Sequence, residues 1–198
     1  LVGGNPFDTT SIYALIHYLE RKWGVFFCMG GTGKLVTELH RLLERSGVTV
    51  LINTDIDEIQ AEGRKVKAAL TVDGRRLSAD RIIFNGDPPT FYKHMMPTHS
   101  RRWKKALPES ATKYSMGLFV LFFGTNRTYE DVAHHTIWMG ERYKELLNDI
   151  FNKKILADDF SLYLHRPTAT DKSFAPKECD SFYVLCPVPN LQGDINWD

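Results

Sequence analysis

The octapeptide CMGGTGKL, residues 28 to 35, sets three glycines and a lysine between an apolar run at 25–27 and an amphipathic run at 35–43. A glycine-rich turn that opens a helix points backbone N–H groups at a phosphate, so nucleotide binding is the first chemistry to test. A P-loop, G-x-x-x-x-G-K-[ST], is excluded: with Gly33-Lys34 as the G-K pair, Cys28 stands where the first glycine belongs and Leu35 where the hydroxyl belongs. The dinucleotide fingerprint, G-x-G-x-x-G/A with an acid ~20 residues on, is met in part. Gly31-Thr32-Gly33 begins it, Val36 stands where a small residue is required, and Asp55 falls near the place of the ribose-binding acid. Two readings stay open at this turn, a dinucleotide site and an ordinary tight turn. Lys34 is expected in solvent rather than on a phosphate.

Few other side chains suggest chemistry. His134-His135 suits acid–base work or a metal, but no acid or third histidine lies at ligand spacing, so a surface or hydrogen-bonding role is expected. His165 ends an apolar strand and reads as a satisfied core histidine. Asp158-Asp159 resembles a paired carboxylate, yet a helix cap or a turn is the expected use. Cys28, Cys179 and Cys186 are widely spaced and form no C-x-x-C pair, so neither zinc nor a disulfide framework is indicated. No catalytic acid or base emerges.

The elements that would position these residues follow from periodicity. Residues 8–23 read as a helix, with Asp8, Thr9 or Thr10 as cap, a stripe of Ile12, Leu15, Ile16, Leu19 and Trp23, and Gly24 as exit. Residues 25–28 read as a short strand. Leu35, Val36, Leu39, Leu42 and Leu43 make a second helix that stops at Ser46-Gly47, and 48–53 (VTVLIN) reads as a buried strand. From 54 to 84 the pattern is strands and turns, with Asp73-Gly74 as a hairpin signal and 82–84 as a last buried strand. Residues 90–107 look helical and basic. Then come an apolar strand at 116–124, a helix at 141–151, and strands at 160–165 and 182–186. The strand holding Leu118 to Phe123 is apolar on both faces, which suits either a doubly buried core strand or the wall of an apolar tunnel. The fold class is α/β, or an α+β mixture.

The 198 residues allow one large domain or two small ones. With 25 basic and 24 acidic residues, the charge balance gives no reason to expect nucleic acid as a partner. No apolar run reaches the roughly 18–20 residues of a membrane span, and the cysteine usage fits a reducing, cytoplasmic setting. The chain opens on Leu1 without a methionine, and a piece of a longer protein is expected.

Residues 3–25, GGNPFDTTSIYALIHYLERKWGV, closely resemble a stretch of the bacterial and fungal phytoene desaturases, FAD-dependent carotenoid desaturases related to amine oxidases. GGTGKLV, DGRRLSADRIIFNGD, LFVLFFG, VAHHT, RYKEL, IFN and DDFSLYLHRPTATDKSFAP follow in the order that family shows them, so the likeness covers essentially the whole chain. The resemblance implies FAD, with phytoene or a related carotenoid as substrate. It implies a partial FAD-binding domain at 28–89, a substrate-domain segment at 1–27 and a substrate-binding domain at 90–198. Gly30 and Gly31 would let backbone approach the cofactor, Ile56 would meet the adenine through its backbone, and Asn85, Gly86 and Asp87 would pass the cofactor again. Cys28 departs from the proline usual before the glycine pair. The family's full G-x-G-x-x-G turn and its glycine-rich closing segment are not in this sequence, so the isolated chain is expected to be inactive, to bind flavin weakly or not at all, and to self-associate through uncovered apolar faces. Desaturation needs a hydride acceptor that no side chain here provides and a flavin does. A membrane-borne substrate implies peripheral membrane association, for which Arg101-Arg102-Trp103-Lys104-Lys105 is a candidate contact. A carotenoid isomerase, a retinol-saturase-like flavoprotein and a non-enzymatic lipid-binding remnant are the alternatives.

Overall fold

The computed structural model describes residues 3–63, 65–96 and 113–197. The chain divides into two compact units, Leu1–Arg41 with Tyr114–Asp198, and Leu42–Lys113. The first unit opens with a 3-10 turn, Ser11–Tyr13, whose cap is Thr10: its hydroxyl accepts the Ile12 N–H at 3.5 Å. Helix α1 (Ala14–Trp23) follows and ends at Gly24, where a φ of 80° turns the N–H back to the Glu20 carbonyl at 2.8 Å. Helix α2 (Gly31–Arg45) begins on the glycine pair itself, four residues ahead of the apolar stripe. Ile12, Leu15, Ile16 and Trp23 are exposed, and so are Leu35, Val36, Leu39, Leu42 and Leu43. The helical period is there, but among the described residues nothing covers either stripe.

The second unit is built on an antiparallel meander of β1 (Ile56–Glu62), β2 (Lys65–Thr71) and β3 (Arg76–Ser78). Ile59 of β1 and Ala68 of β2 are its buried apolar residues. The expected turn at Asp73-Gly74 joins β2 to β3. Thr71 anchors it, its hydroxyl reaching the Asp73 carboxylate and accepting the Arg75 N–H at 2.9 Å. After β3 the chain runs extended to a single helical turn, α3 (Pro88–Thr90), which continues as a π-turn over Phe91–Met95. The remainder of the helix expected at 90–107, including Arg101, Arg102, Trp103, Lys104 and Lys105, lies outside the described residues.

The expected strands at 25–28, 48–53 and 82–84 do not form. Ile83 is 95% exposed and Phe26 86%. β-branched composition marks a segment that can join a ladder, but a ladder also needs a neighbour. Among the described residues these three have none.

The first unit's sheet contains β4 (Gly117–Thr125), β5 (His135–Trp138), β6 (Leu162–His165) and β7 (Asp180–Val188), in the order β4-β7-β6-β5, antiparallel throughout. Strand β7 is central and pairs on both sides. The register sets Phe123 opposite Phe182, and their rings stack with centroids 5.1 Å apart. Leu118 to Phe123 on β4 are all exposed, so neither a buried core strand nor a closed tunnel wall is present among the described residues. Between β5 and β6, α4 (Tyr143–Asn148) runs into a π-turn, Asp149–Lys153, and supplies Leu146 and Ile150 to a small core with Ala157, against which Met116 and Phe151 pack. Strand β5 was not expected; its four residues are too few for a period to show. No helix of the described residues is long and apolar enough to cross a membrane.

Candidate functional site

Gly30 and Gly31 adopt consecutive left-handed conformations, with φ of 84° and 81°. This backbone is open to glycine and strained for other residues, which is the local reason for the pair. The Gly31 N–H closes the turn on the Cys28 carbonyl at 2.8 Å. The Gly30 N–H goes to Asp171 Oδ2, also at 2.8 Å. Asp171 lies far along the chain in the segment between β6 and β7, and its other oxygen accepts the N–H and hydroxyl of Ser173 at 3.0 and 2.6 Å. The Ser173 hydroxyl and these two amides hold the Asp171 carboxyl below the usual carboxylate range. A Cβ on Gly31 would come within 2.8 Å of the Phe174 ring. The turn is thus clamped to the 171–174 segment by one charged hydrogen bond and one close ring contact.

These contacts limit what the turn can hold. A pyrophosphate needs free N–H donors and no competing anion, and here both glycine amides are committed, one of them to a carboxylate. The flat edge of a ring needs only space, and Gly30 is exposed with nothing nearer its absent Cβ than the Lys34 side chain. The turn therefore does not fit the phosphate end of a dinucleotide, and it leaves Gly30 exposed beside the Lys34 side chain. Lys34, half-exposed, pairs with Glu38 at 2.9 Å, as its expected solvent position allows.

The remaining sequence-derived positions lie in the second unit. Ile56 begins β1 opposite Thr71 and is half-buried. Asn85, Gly86 and Asp87 form an exposed segment leading into α3. Asp87 caps that turn: its carboxylate accepts the Thr90 N–H at 2.9 Å and the Thr90 hydroxyl at 2.6 Å, and both lower its pKa. Asn85 carries no side-chain hydrogen bond among the described residues.

His134 and His135 take the expected hydrogen-bonding role, but a third histidine lies beside them. Antiparallel pairing of β5 with β6 sets His135 opposite His165, and His134 Nε2 lies 2.8 Å from His165 Nε2. His134 Nδ1 contacts the Thr170 hydroxyl at 2.5 Å, and His135 Nδ1 contacts the Tyr163 hydroxyl at 2.6 Å. The Phe27 ring meets His134 edge-on, 4.7 Å between centroids. Burial, then the neighbouring histidines, push the His165 pKa down to about 4; burial, His135 and Arg166 also lower that of His134. His165 is buried as expected, but it is not a satisfied core histidine, because among the described residues its Nδ1 has no partner. The third histidine was missed because it is adjacent only across the ladder; recognition of the four-residue strand β5 would have revealed it.

Next to the cluster, buried Arg166 meets buried Asp180 at 3.1 Å, and Asp180 also accepts the Tyr129 N–H at 2.7 Å. Asp159 lies in a bend and accepts the Arg142 N–H at 2.9 Å, a turn role as expected.

Helices mixed with antiparallel sheets are consistent with part of an amine-oxidase-like domain. Residues 1 to 160 match the family model described as flavin containing amine oxidoreductase, and the chain belongs to that family, which implies a flavin cofactor. Among curated relatives, the chain is 48% identical over its whole length to a phytoene desaturase (lycopene-forming) of Paracoccus sp. and 46% identical to one of Pantoea ananas, covering 40% of each. It is 41% identical to a phytoene desaturase (neurosporene-forming) of Rhodobacter capsulatus, over 99% of this chain and 38% of that protein. The chain thus spans about two fifths of the length of the relatives it matches.

Proposed function

We propose that this chain is part of an FAD-dependent desaturase that introduces double bonds into phytoene or a related carotenoid, and that it does not act alone. The observation that carries the reading is identity of 46–48%, end to end, with proteins named phytoene desaturases. A flavin supplies the hydride acceptor that no side chain offers. The contribution of this chain is position and environment. Gly30 leaves room for the ring edge, Gly31, packed against Phe174, fixes the turn that presents it, Ile56 offers backbone to the adenine, and Asn85, Gly86 and Asp87 pass the cofactor again. In this reading residues 28–89 belong to the FAD domain, and 1–27 and 90–198 to the substrate domain. The apolar face of β4, Leu118 to Phe123, suits a long hydrocarbon. Residues 101–105 contribute to docking on an anionic membrane from the cytoplasmic side.

The test is a visible absorption spectrum of the full-length protein purified with FAD supplied, followed by incubation with phytoene. A bound-flavin spectrum and more unsaturated products support the proposal. A colourless protein that takes up no FAD overturns the cofactor assignment, and bound flavin with untouched phytoene overturns the substrate. Turnover by the isolated chain refutes the statement that it does not act alone. Replacing Arg101, Arg102, Lys104 and Lys105 with serine tests the membrane contact: unchanged sedimentation with anionic liposomes overturns it.

A further inference from the structure

The three histidines have no task in the proposed desaturation. We propose that His134, His135 and His165 bind one divalent transition-metal ion of the imidazole-preferring kind, such as copper(II), nickel(II) or zinc(II), with further positions left to water. One nitrogen from each lies within 4.8 Å of the others. Two nitrogens on a shared ion, each about 2.1 Å from it, can be at most about 4.2 Å apart, so the widest pair needs to close by only about half an ångström. The near pair, His134 Nε2 and His165 Nε2 at 2.8 Å, would subtend roughly a right angle at such an ion. That angle suits the tetragonal geometry of copper(II) and nickel(II) better than the tetrahedral angle of zinc. The donor set contains no carboxylate, which excludes magnesium and calcium.

The surroundings favour ligation. Metal-bound histidines characteristically have the other ring nitrogen held by a hydrogen-bonding partner, which fixes ring and tautomer. Thr170 holds His134 Nδ1 and Tyr163 holds His135 Nδ1, which turns Nε2 of each ring to the ion, and the ion would replace the contact between His134 Nε2 and His165 Nε2. His165 contributes Nε2 of a buried ring, the atom that faces His134 Nε2. The nearest strong cation, Arg166, is paired to Asp180. The site stands on geometry independent of the flavin reading, and its failure would leave that reading intact.

The test uses untagged full-length protein stripped with a chelator and titrated with copper(II), nickel(II) or zinc(II) alone by calorimetry, with electron paramagnetic resonance on the copper form. We expect one ion per chain, nitrogen hyperfine structure from imidazole, copper and nickel bound more tightly than zinc, and no competition from magnesium. His134→Ala and His135→Gln should each weaken binding by roughly tenfold or more, while His17→Ala, on an exposed helix face, changes nothing. Because His165→Ala can fail to fold, the first two variants carry the test, with circular dichroism as the fold check. Absence of stoichiometric binding at micromolar metal overturns the proposal. So does binding of equal affinity in a folded His134→Ala/His135→Gln double variant.

Discussion

Asp180→Asn removes the charge from a buried ion pair while keeping its shape. Asp180 is 1% exposed and Arg166 5%, with Nη1 and Oδ2 3.1 Å apart. At that distance and an effective dielectric of about 20, the attraction is about 5 kcal/mol. Removing both ions from water costs several kcal/mol each, so the intact pair roughly breaks even against an apolar replacement. The single variant is different: it leaves a buried guanidinium without its counter-charge, at a cost of about 3–5 kcal/mol. Arg166→Met should cost a similar amount, since it strands the carboxylate. The double variant should lose less than the sum of the two, with a coupling of about 2 kcal/mol or more. Urea unfolding at neutral pH, followed by circular dichroism for all four proteins, measures the cycle. Additive losses, or single losses under about 1 kcal/mol, refute the reasoning. Acid gives a second handle. Burial raises the Asp180 pKa, but Thr168, the Tyr129 N–H and Arg166 outweigh it and leave the value below the ordinary 3.8. The Thr168 hydroxyl contributes by proximity, outside good hydrogen-bond geometry. A folded-state pKa below the unfolded one means the stabilisation is complete above the unfolded value and fades as pH falls through the folded value. Asp180→Asn should therefore flatten the acid limb of the stability curve.

Gly31→Ala should destabilise more than Gly30→Ala in parallel unfolding measurements. Both carry about 1–2 kcal/mol of left-handed backbone strain, but only Gly31 also meets a ring, Phe174, at 2.8 Å; equal losses would remove the clamp from the account. Asp171→Ala should speed amide hydrogen exchange at Gly30 by roughly tenfold, and in the unsubstituted protein the same loosening should appear as pH falls below the ordinary carboxylate value of 3.8, because the Asp171 pKa is lowered in the fold. An unchanged Gly30 rate, read by NMR, would show that the carboxylate does not hold the turn. Burial raises the Cys186 thiol pKa, so iodoacetamide should modify Cys186 more slowly in the native protein than in urea. Peptide mapping by mass spectrometry reads this, and equal rates in both states would contradict the burial.

What the sequence discloses here tracks the distance over which each signal acts. The stripe Ile12–Leu15–Ile16–Trp23 and the exit at Gly24 are local, and α1 ends where they predict, though it begins only at Ala14, after a 3-10 turn capped by Thr10, rather than at residue 8. Asp73-Gly74 sets a turn through its own backbone preferences, and β2 and β3 meet across it. The segments at 48–53 and 82–84 have equally good composition and form no strand, because pairing depends on a neighbour that composition does not supply. The glycine pair was legible as a special turn, but not its reason: Phe174 and Asp171 are more than a hundred residues away in sequence. The histidine cluster and the Arg166–Asp180 pair share that limitation, being made by strand register rather than spacing.

The sheet order also sets a timetable. Strand β4, apolar along nearly its whole length, pairs among the described residues with β7 alone, and even the nearest residues across that ladder, Thr125 and Asp180, are 55 apart in sequence. At roughly 5–20 residues per second of synthesis, about 3–11 s pass between the appearance of one and of the other. Throughout that interval the ribosome presents a nine-residue apolar segment with no mate. The yield of soluble protein should then depend on holdase chaperones and on translation speed between residues 125 and 180, so that slow codons in this interval lower it while leaving the finished fold unchanged.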